Sequence, residues 1–473
     1  MKRILLLLLF TSNCIFSQTT LISDIYVGAN DSNPERFVEF NGKLYFEAID
    51  SNCICGKIWE YDGVNAPVLS QQMNTVTYYP DILRFSYVFD NKLFFPANGG
   101  LTYYDGINNP QAVPDTSPNP VNRNIKYYAV FNNVLYFQGE EDTAIGTELY
   151  AYDGTNNPTL IADINPGTGS SRPIYLTVFN NKLYFMADNG TNGEELFVYD
   201  GVNPPALVFD INPGVADGEP RYLMTYNNQL YFNANNGVNG KELWTYDGIN
   251  NPTMVVDLKP GSDGSSPVPR AVINGDFYFD ASSNDFGHEV FKYNGPNNLP
   301  TVIDINPGTS NATPRSFTTL GNTFYFSATN GTNGFEMWSY NGTSATMVED
   351  INVGANSSGA YEFITFDNKI VFRANNGSTG QELWQFIPAP LSVPEVTAPK
   401  YSVFPNPASD LINVTSNSQI TNVEVYNLLG KKVISKVTAS KSIEIDIQDL
   451  NTGIYILKLK SANGIRSMKL IKK

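Results

Sequence analysis

Six glutamates, Glu148, Glu195, Glu242, Glu289, Glu336 and Glu382, recur in one local text, each followed by an apolar and then an aromatic residue. A carboxylate that returns once per repeat has two chemistries open to it. It can accept hydrogen bonds from the backbone of a recurring turn, or it can ligate calcium together with loop carbonyls. Asp188, Asn189, Asn192 and Glu194 gather enough oxygens for a calcium candidate, although the spacing is not that of an EF-hand and Asp188 becomes Asn235 and Thr329 in later copies. Every repeat needs its turn, whereas a ligand site is rarely needed in all of them, so structural hydrogen bonding is the preferred reading of the glutamates. No other cofactor is suggested. Cys53 and Cys55 are placed for a small local disulfide in an exported protein; with no histidine or third cysteine close by, a zinc site is the weaker reading. The single histidine, His288, fills a slot held elsewhere by Glu194, Lys241, Phe335 and Gln381, and is expected as a solvent-facing loop residue.

The elements that position these residues repeat with them. The stretch from Pro173 to Gly214 holds four short apolar runs, IYLTVF, KLYFMA, ELFVY and ALVFDI, bounded by Asn, Gly and Pro turn chemistry. Nearly the same text begins again at Pro220, 47 residues on. The period can be followed on one position, Asp62, Asp105, Asp153, Asp200, Asp247, Asn294 and Asn341, with steps of 43, 48, 47, 47, 47 and 47. Four strands per unit at this spacing predict the blade of a β-propeller. Leu183 and Phe185 share one strand face and Tyr184 the other, as expected where both faces of a sheet are covered by neighbours. The Asn180-Asn181 turn suits positive φ, and in Tyr199-Asp200-Gly201 the aspartate can satisfy local N–H groups.

The last unit reaches Glu382 to Phe386 and stops before a fourth strand, while Thr19 to Ile25 resembles the fourth-strand text from Thr159 to Ile164. The expectation is an all-β fold of eight blades closed by exchange of the N-terminal strand, with seven blades plus one irregular unit as the alternative. The chain opens with Lys2, Arg3 and an apolar Ile4–Phe10 core ending at a Ser17-Gln18 junction, the pattern of a signal peptide over residues 1–17 and too short to span a bilayer. No later stretch of the mature chain reads as a transmembrane segment. The propeller is expected over 18–387, a Pro-rich linker over 388–399 and a small domain over 400–473. From Gln18 to Pro399 there are 17 basic and 41 acidic residues, net −24, against 11 and 5, net +6, beyond. An acidic ring argues against nucleic-acid binding, which needs clustered Lys and Arg.

The propeller units resemble a bacterial extracellular repeat family with the signature Glu-Leu-Trp-x-x-Asp-Gly-Thr, carried by Glu242 to Gly248 and by Glu382-Leu383-Trp384. That resemblance implies secretion and a repeat fold, and brings no catalytic residue. The segment from Tyr401 is sharper: Phe404-Pro405-Asn406-Pro407-Ala408-Ser409-Asp410, a turn at Gly430, and Gly453-Ile454-Tyr455-Ile456-Leu457-Lys458-Leu459 follow in order. It resembles the type A C-terminal sorting domain of the Bacteroidota type IX secretion system. The resemblance implies export across the outer membrane, with that machinery as partner and a secreted or surface location after periplasmic transit. Phe404, Pro405, Asn406, Pro407, Asp410, Gly430, Gly453 and Tyr455 would be sorting or structural residues. Alternation at Val423–Val425 and Ile443–Ile447 reads as a small antiparallel β-sandwich.

No GxSxG, HExxH, CxxC or phosphate-loop sequence is present. The leading functional reading is a secreted or surface binding propeller, with a glycan or an envelope protein as ligand. An extracellular carbohydrate-active hydrolase or lyase and a purely structural surface protein are the alternatives. The first predicts an aromatic or polar patch on one face, the second convergent carboxylates near the channel.

Overall fold

The computed structural model of the chain describes residues 18–76, 82–117, 119–141, 145–296, 298–389, 401–461 and 464–473. The expected signal peptide and most of the expected linker lie outside these residues. Packing divides the chain into two compact units, one ending at Pro388 and one carrying the C-terminal residues to Lys473.

The first unit is eight four-stranded antiparallel sheets, blades 1 to 8 in chain order, with first strands that begin at Glu35, Tyr87, Val121, Ile174, Arg221, Val268, Arg315 and Tyr361. Blade 4 shows the pattern: Ile174–Phe179, Lys182–Asp188, Glu194–Tyr199 and Ala206–Phe209 pair in sequence order. Blade 8 is Tyr361–Phe366, Lys369–Ala374 and Glu382–Ile387, completed by Gln18–Ser23 from the other end of the chain. Thr19 faces Phe386 and Leu21 faces Trp384 in that pairing. The eight-blade expectation with strand exchange holds, and the seven-blade alternative falls.

Sequence explains the packing. Leu183, Tyr184, Phe185, Met186 and Ala187 are consecutive and all at most 1% exposed, because each blade is covered on both faces. The apolar clusters accordingly straddle blade boundaries. Ala129, Phe131 and Leu149 of blade 3 pack with Leu183, Phe185 and Phe197 of blade 4, and Leu44 and Phe46 of blade 1 pack with Phe366, Val371 and Leu383 of blade 8. First strands of neighbouring blades approach one another, so they line the axis and the fourth strands lie outermost.

The second unit is one five-stranded antiparallel sheet. Its strands Leu411–Asn427 and Lys432–Asp446 are long, and their register breaks between Thr415 and Asn422. The sheet curls there. Ile412 and Val414 from one arm, and Val423 and Val425 from the other, thereby enter a single core with Ile445, Leu457, Leu459 and Leu470. That closure is how a single sheet supplies the two faces of the expected sandwich.

Candidate binding ring around the propeller axis

The repeated glutamates lie at the junctions between blades. Glu242 is wholly buried; it accepts from Leu258 N at 3.2 Å, Ser265 N at 2.8 Å and Ser265 Oγ at 2.5 Å. Leu258 ends its own blade and Ser265 leads into the next, so one carboxylate ties both halves of the crossover. Glu148, Glu289 and Glu336 do the same, and Glu195 accepts from Ile211 N at 3.0 Å and Asn212 N at 3.1 Å at the end of its own blade. Glu382 accepts from Ile25 N at 2.7 Å, Ser32 N at 3.1 Å and Ser32 Oγ at 2.7 Å, so the N-terminal strand is seated by the same contacts as any fourth strand. Blade 1 has Lys57 at this position, and Asn74 substitutes by accepting from Ile58 N at 3.0 Å and donating to its carbonyl at 2.8 Å. Burial pushes the Glu195 and Glu289 carboxyls up to about 7, although backbone N–H donors pull the other way.

The calcium candidates share one hairpin, where Asp188 and Glu194 pair across the strands. Asp188 Oδ1 accepts from Gly190 N at 2.7 Å, Asn189 Oδ1 from Thr191 N and Asn192 N, and Asn192 donates to Asp210 at 2.8 Å. Glu194 faces Arg221 at 3.3 Å. These oxygens serve the turn itself. Among the described residues no three His, Cys, Asp or Glu side chains gather as a metal site. Cys55 is disulfide-bonded; the Cys53 side chain, its expected partner, lies outside the described residues. His288 departs from expectation. It sits in the strand Gly287–Tyr293, 28% exposed, with Nε2 3.0 Å from Asp280 Oδ2, because the variable slot of this blade supplies a carboxylate beside it.

The residues that differ between blades gather at the axis. After the second-strand phenylalanine of each unit, and before its alanine or glycine, stand Glu47, Pro96, Gln138, Met186, Asn233, Asp280, Ser327 and Arg373. Seven of these eight lie opposite first-strand residues, as Glu47 to Glu35, Asn233 to Arg221, Ser327 to Arg315 and Arg373 to Tyr361. This signal was present in the sequence: eight units with eight residue types at one site, between neighbours that barely change. The propeller's arginines behave alike. Arg36, Arg84, Arg123, Arg172, Arg221, Arg270, Arg315 and Arg373 number one per blade, the first seven at or just before a first strand.

First strands also carry a bulge. Arg36, Tyr127, Tyr175, Tyr222, Ser316 and Glu362 adopt φ of 60°, 55°, 59°, 59°, 53° and 58°, where the register to the second strand shifts. Left-handed backbone at non-glycine residues costs about 1 kcal/mol each, and a bulge re-aims the side chain it carries. In blades 3 to 5 that side chain is tyrosine. The rings of Tyr175 and Tyr222 are 4.9 Å apart, Tyr127 lies beside Tyr175, and Phe85 is 5.8 Å from Tyr127. Tyr127 and Tyr222 remain 40% and 39% exposed. Beyond this aromatic arc the ring turns ionic. Arg36 is clamped by Glu35 at 2.6 Å and Glu47 at 2.8 Å, and its N–H donates to Glu362 at 3.0 Å. Cavities of about 490 and 410 Å³ open here, the first beside Phe85 and Lys126, the second beside Arg36 and Tyr361.

In the second unit one of the expected sorting side chains, Asn406, holds the C-terminal strand, and the others serve their own turns and strands. Asn406 donates to Lys469 O at 2.7 Å and accepts from Ile471 N at 2.9 Å, and Ala408 N donates to Ile471 O at 2.9 Å. Phe404-Pro405 and Asn406-Pro407 are cis, Tyr455 donates to Asn451 O at 2.9 Å, and Gly430 takes φ of 79° in its turn. Asp410 O accepts from Ile447 N at 2.8 Å, and Gly453 opens the strand Gly453–Ser461. Phe404 and Leu429 stay 50% and 94% exposed.

Residues 402–473 match the secretion system C-terminal sorting domain. A curated relative, beta-agarase D of Zobellia galactanivorans, is 38% identical over 65 residues, 14% of this chain and 13% of that protein. PorZ, a surface component of the type IX secretion system of Porphyromonas gingivalis, superposes with TM-score 0.39 at 12% identity, covering 94% of this chain and 60% of that one. The extracellular domain of a two-component system protein from B. thetaiotaomicron gives 0.40 at 12%, covering 97% and 59%. The chain thus spans about 60% of these structures and far less of the curated relative. Among the described residues no helix is long and apolar enough to cross a membrane. The chain thus carries a secretion system C-terminal sorting domain over residues 402–473, behind an eight-bladed propeller.

Proposed function

We propose that the propeller is a binding module for glycans, displayed outside the cell by its sorting domain, and that its ligand lies across the inner ring. One observation carries this reading: Tyr127, Tyr175 and Tyr222 hold the same bulged position in three successive blades, with the first and last rings about 40% exposed. Nothing in blade stacking requires an exposed ring there, since the other bulges carry Arg36, Ser316 and Glu362. Tyrosine offers an apolar face to the C–H side of a sugar and a hydroxyl to its rim. The rigid ring of blades fixes these side chains before the ligand arrives, which lowers the entropic cost of binding.

A glycan array probed with the intact chain and with Tyr175→Ala/Tyr222→Ala tests the proposal. Each lost ring should weaken binding by about 1 kcal/mol, roughly fivefold, with an unchanged melting temperature. Glycan binding that survives the double substitution at full strength, or no binding to any glycan, would overturn it.

A further inference from the structure

We infer that the cavity between blades 7 and 8 is an oxyanion site, built to take a carboxylate or sulfate group. The inference rests on the glycan reading only for what carries the anion. The cavity measures about 340 Å³ and is lined by Asn33, Arg315, Gly359, Tyr361, Arg373 and Gln381. Arg315 lies 4.1 Å from the centre of the Phe335 ring and 5.6 Å from that of Tyr361, and Arg373 lies 5.3 Å from the same Tyr361 ring. Two guanidinium groups therefore flank one tyrosine, held in place by aromatic faces.

These cations are short of acceptors. Among the described residues Arg315 has no ion pair and no side-chain hydrogen bond, and its Nε is buried without a partner. The Nε of Arg373 is buried in the same way, and its one carboxylate neighbour, Glu35, stands 3.6 Å off and is shared with Arg36 at 2.6 Å. Gln381 donates to Ser358 O at 3.0 Å, which fixes its amide at the cavity wall. Gly359 leaves room for it: a Cβ there would come within 2.6 Å of Gln381 Nε2. Bringing two half-buried guanidiniums to one aromatic ring without a full counter-charge costs desolvation and mutual repulsion. A planar or tetrahedral oxyanion offsets both costs, since a guanidinium fork matches its oxygens two at a time. The surrounding propeller is strongly acidic, so this local excess of positive charge is not a general property of its surface.

Arg315 and Tyr361 begin first strands, so the cavity opens on the same inner ring as the tyrosines. A sugar chain lying on the arc could place an acidic substituent here, and a free anion could occupy the same donors. Calorimetric titration of residues 18–473 with dextran, dextran sulfate, polygalacturonate and sodium sulfate separates these sources. We expect the two acidic polymers to bind at least about tenfold more tightly than dextran, more weakly as salt is added. Arg315→Gln should lose about tenfold or more of that affinity, and Arg315→Lys, which keeps charge and stem, an intermediate amount. Melting curves establish that each variant folds; Arg315→Lys carries the test should Arg315→Gln not. Sodium sulfate bound with the same Arg315 dependence, and no polymer bound, would support the oxyanion site and remove the glycan reading. Dextran bound as tightly as the acidic polymers, with Arg315→Gln without effect, would overturn the oxyanion site and leave the glycan reading standing. Acidic polymers indifferent to both Arg315 variants, or no binding to any probe, would also overturn it.

Discussion

The blade junctions and the inner ring are built from the same repeat and treat it in opposite ways. At the junctions one residue type, glutamate, stands in six blades and accepts each time from the backbone N–H at one equivalent place in the crossover. At the ring the residue after the second-strand phenylalanine changes in every blade, from Glu47 through Asn233 to Arg373. Both sites sit among constant neighbours. The difference is what each faces: a turn that every blade must repeat, or the neighbours of one blade alone, among which six of the eight variable side chains are buried. Within one chain of repeats, sameness marks what holds neighbouring blades together, and variety marks where each blade answers only to its own surroundings.

The largest effect should come from breaking the junction that differs in covalent order alone. Deleting residues 19–25 removes Leu21 from its packing with the blade 8 core and leaves the buried Glu382 carboxylate without Ile25 N. A loss of about 5 kcal/mol is expected in urea unfolding, with a broader transition. An unchanged midpoint and slope would show that the seam draws its stability from elsewhere. A single substitution sharpens the same contrast. Glu242→Ala strips the partners from Leu258 N, Ser265 N and the Ser265 hydroxyl and should cost about 3 kcal/mol. Ser327→Ala, at the variable site, removes a buried hydroxyl that has no partner and should change stability by less than about 1 kcal/mol. Equal costs at the two sites would erase the distinction between junction and ring.

The sequence carried the architecture well because its signals were local and repeated. The 47-residue period, the Tyr-Asp-Gly turns and the missing last strand each had a physical reading, and eight sheets with an exchanged strand follow from them. The turn aspartates behave as their position implied: Asp200 accepts from Asn203 Nδ2 at 2.7 Å, Asn203 N at 2.8 Å and Val202 N at 2.9 Å, which holds its carboxyl at about 2. The ring was far less legible. Its bulges appear in the sequence as ordinary strand residues, because positive φ at Tyr175 or Tyr222 has no glycine or asparagine to announce it. The oxygen-rich hairpin at Asp188, a calcium candidate in the sequence, uses its Asp188 and Asn189 oxygens on the N–H groups of its own loop. Reading His288 from its slot alone missed Asp280, which pairs with it from the neighbouring strand.

The junctions should also show in the slope of stability against pH. Burial raises the Glu195 and Glu289 carboxyls to about 7 in the folded protein, against about 4.3 in an unfolded chain. Between these values the folded state keeps a proton that the unfolded state has released. Stability should therefore be greatest below about pH 4.5, fall as pH rises toward 7, and level off beyond it. The turn aspartates Asp62 and Asp200, held at about 2, act in the opposite sense but only as pH falls below about 4, so they do not obscure this window. Burial raises the Glu148, Glu242, Glu336 and Glu382 carboxyls in the same direction, and Glu195→Gln removes one contribution from this set. It should lower stability at every pH, since an amide cannot accept from both Ile211 N and Asn212 N as a carboxylate does. The informative readout is the shallower fall of the urea midpoint between pH 4.5 and 7. A slope identical to that of the parent chain would mean that Glu195 is ionised throughout this range, its backbone donors outweighing its burial, and that the junctions are held by buried charge rather than by neutral acids.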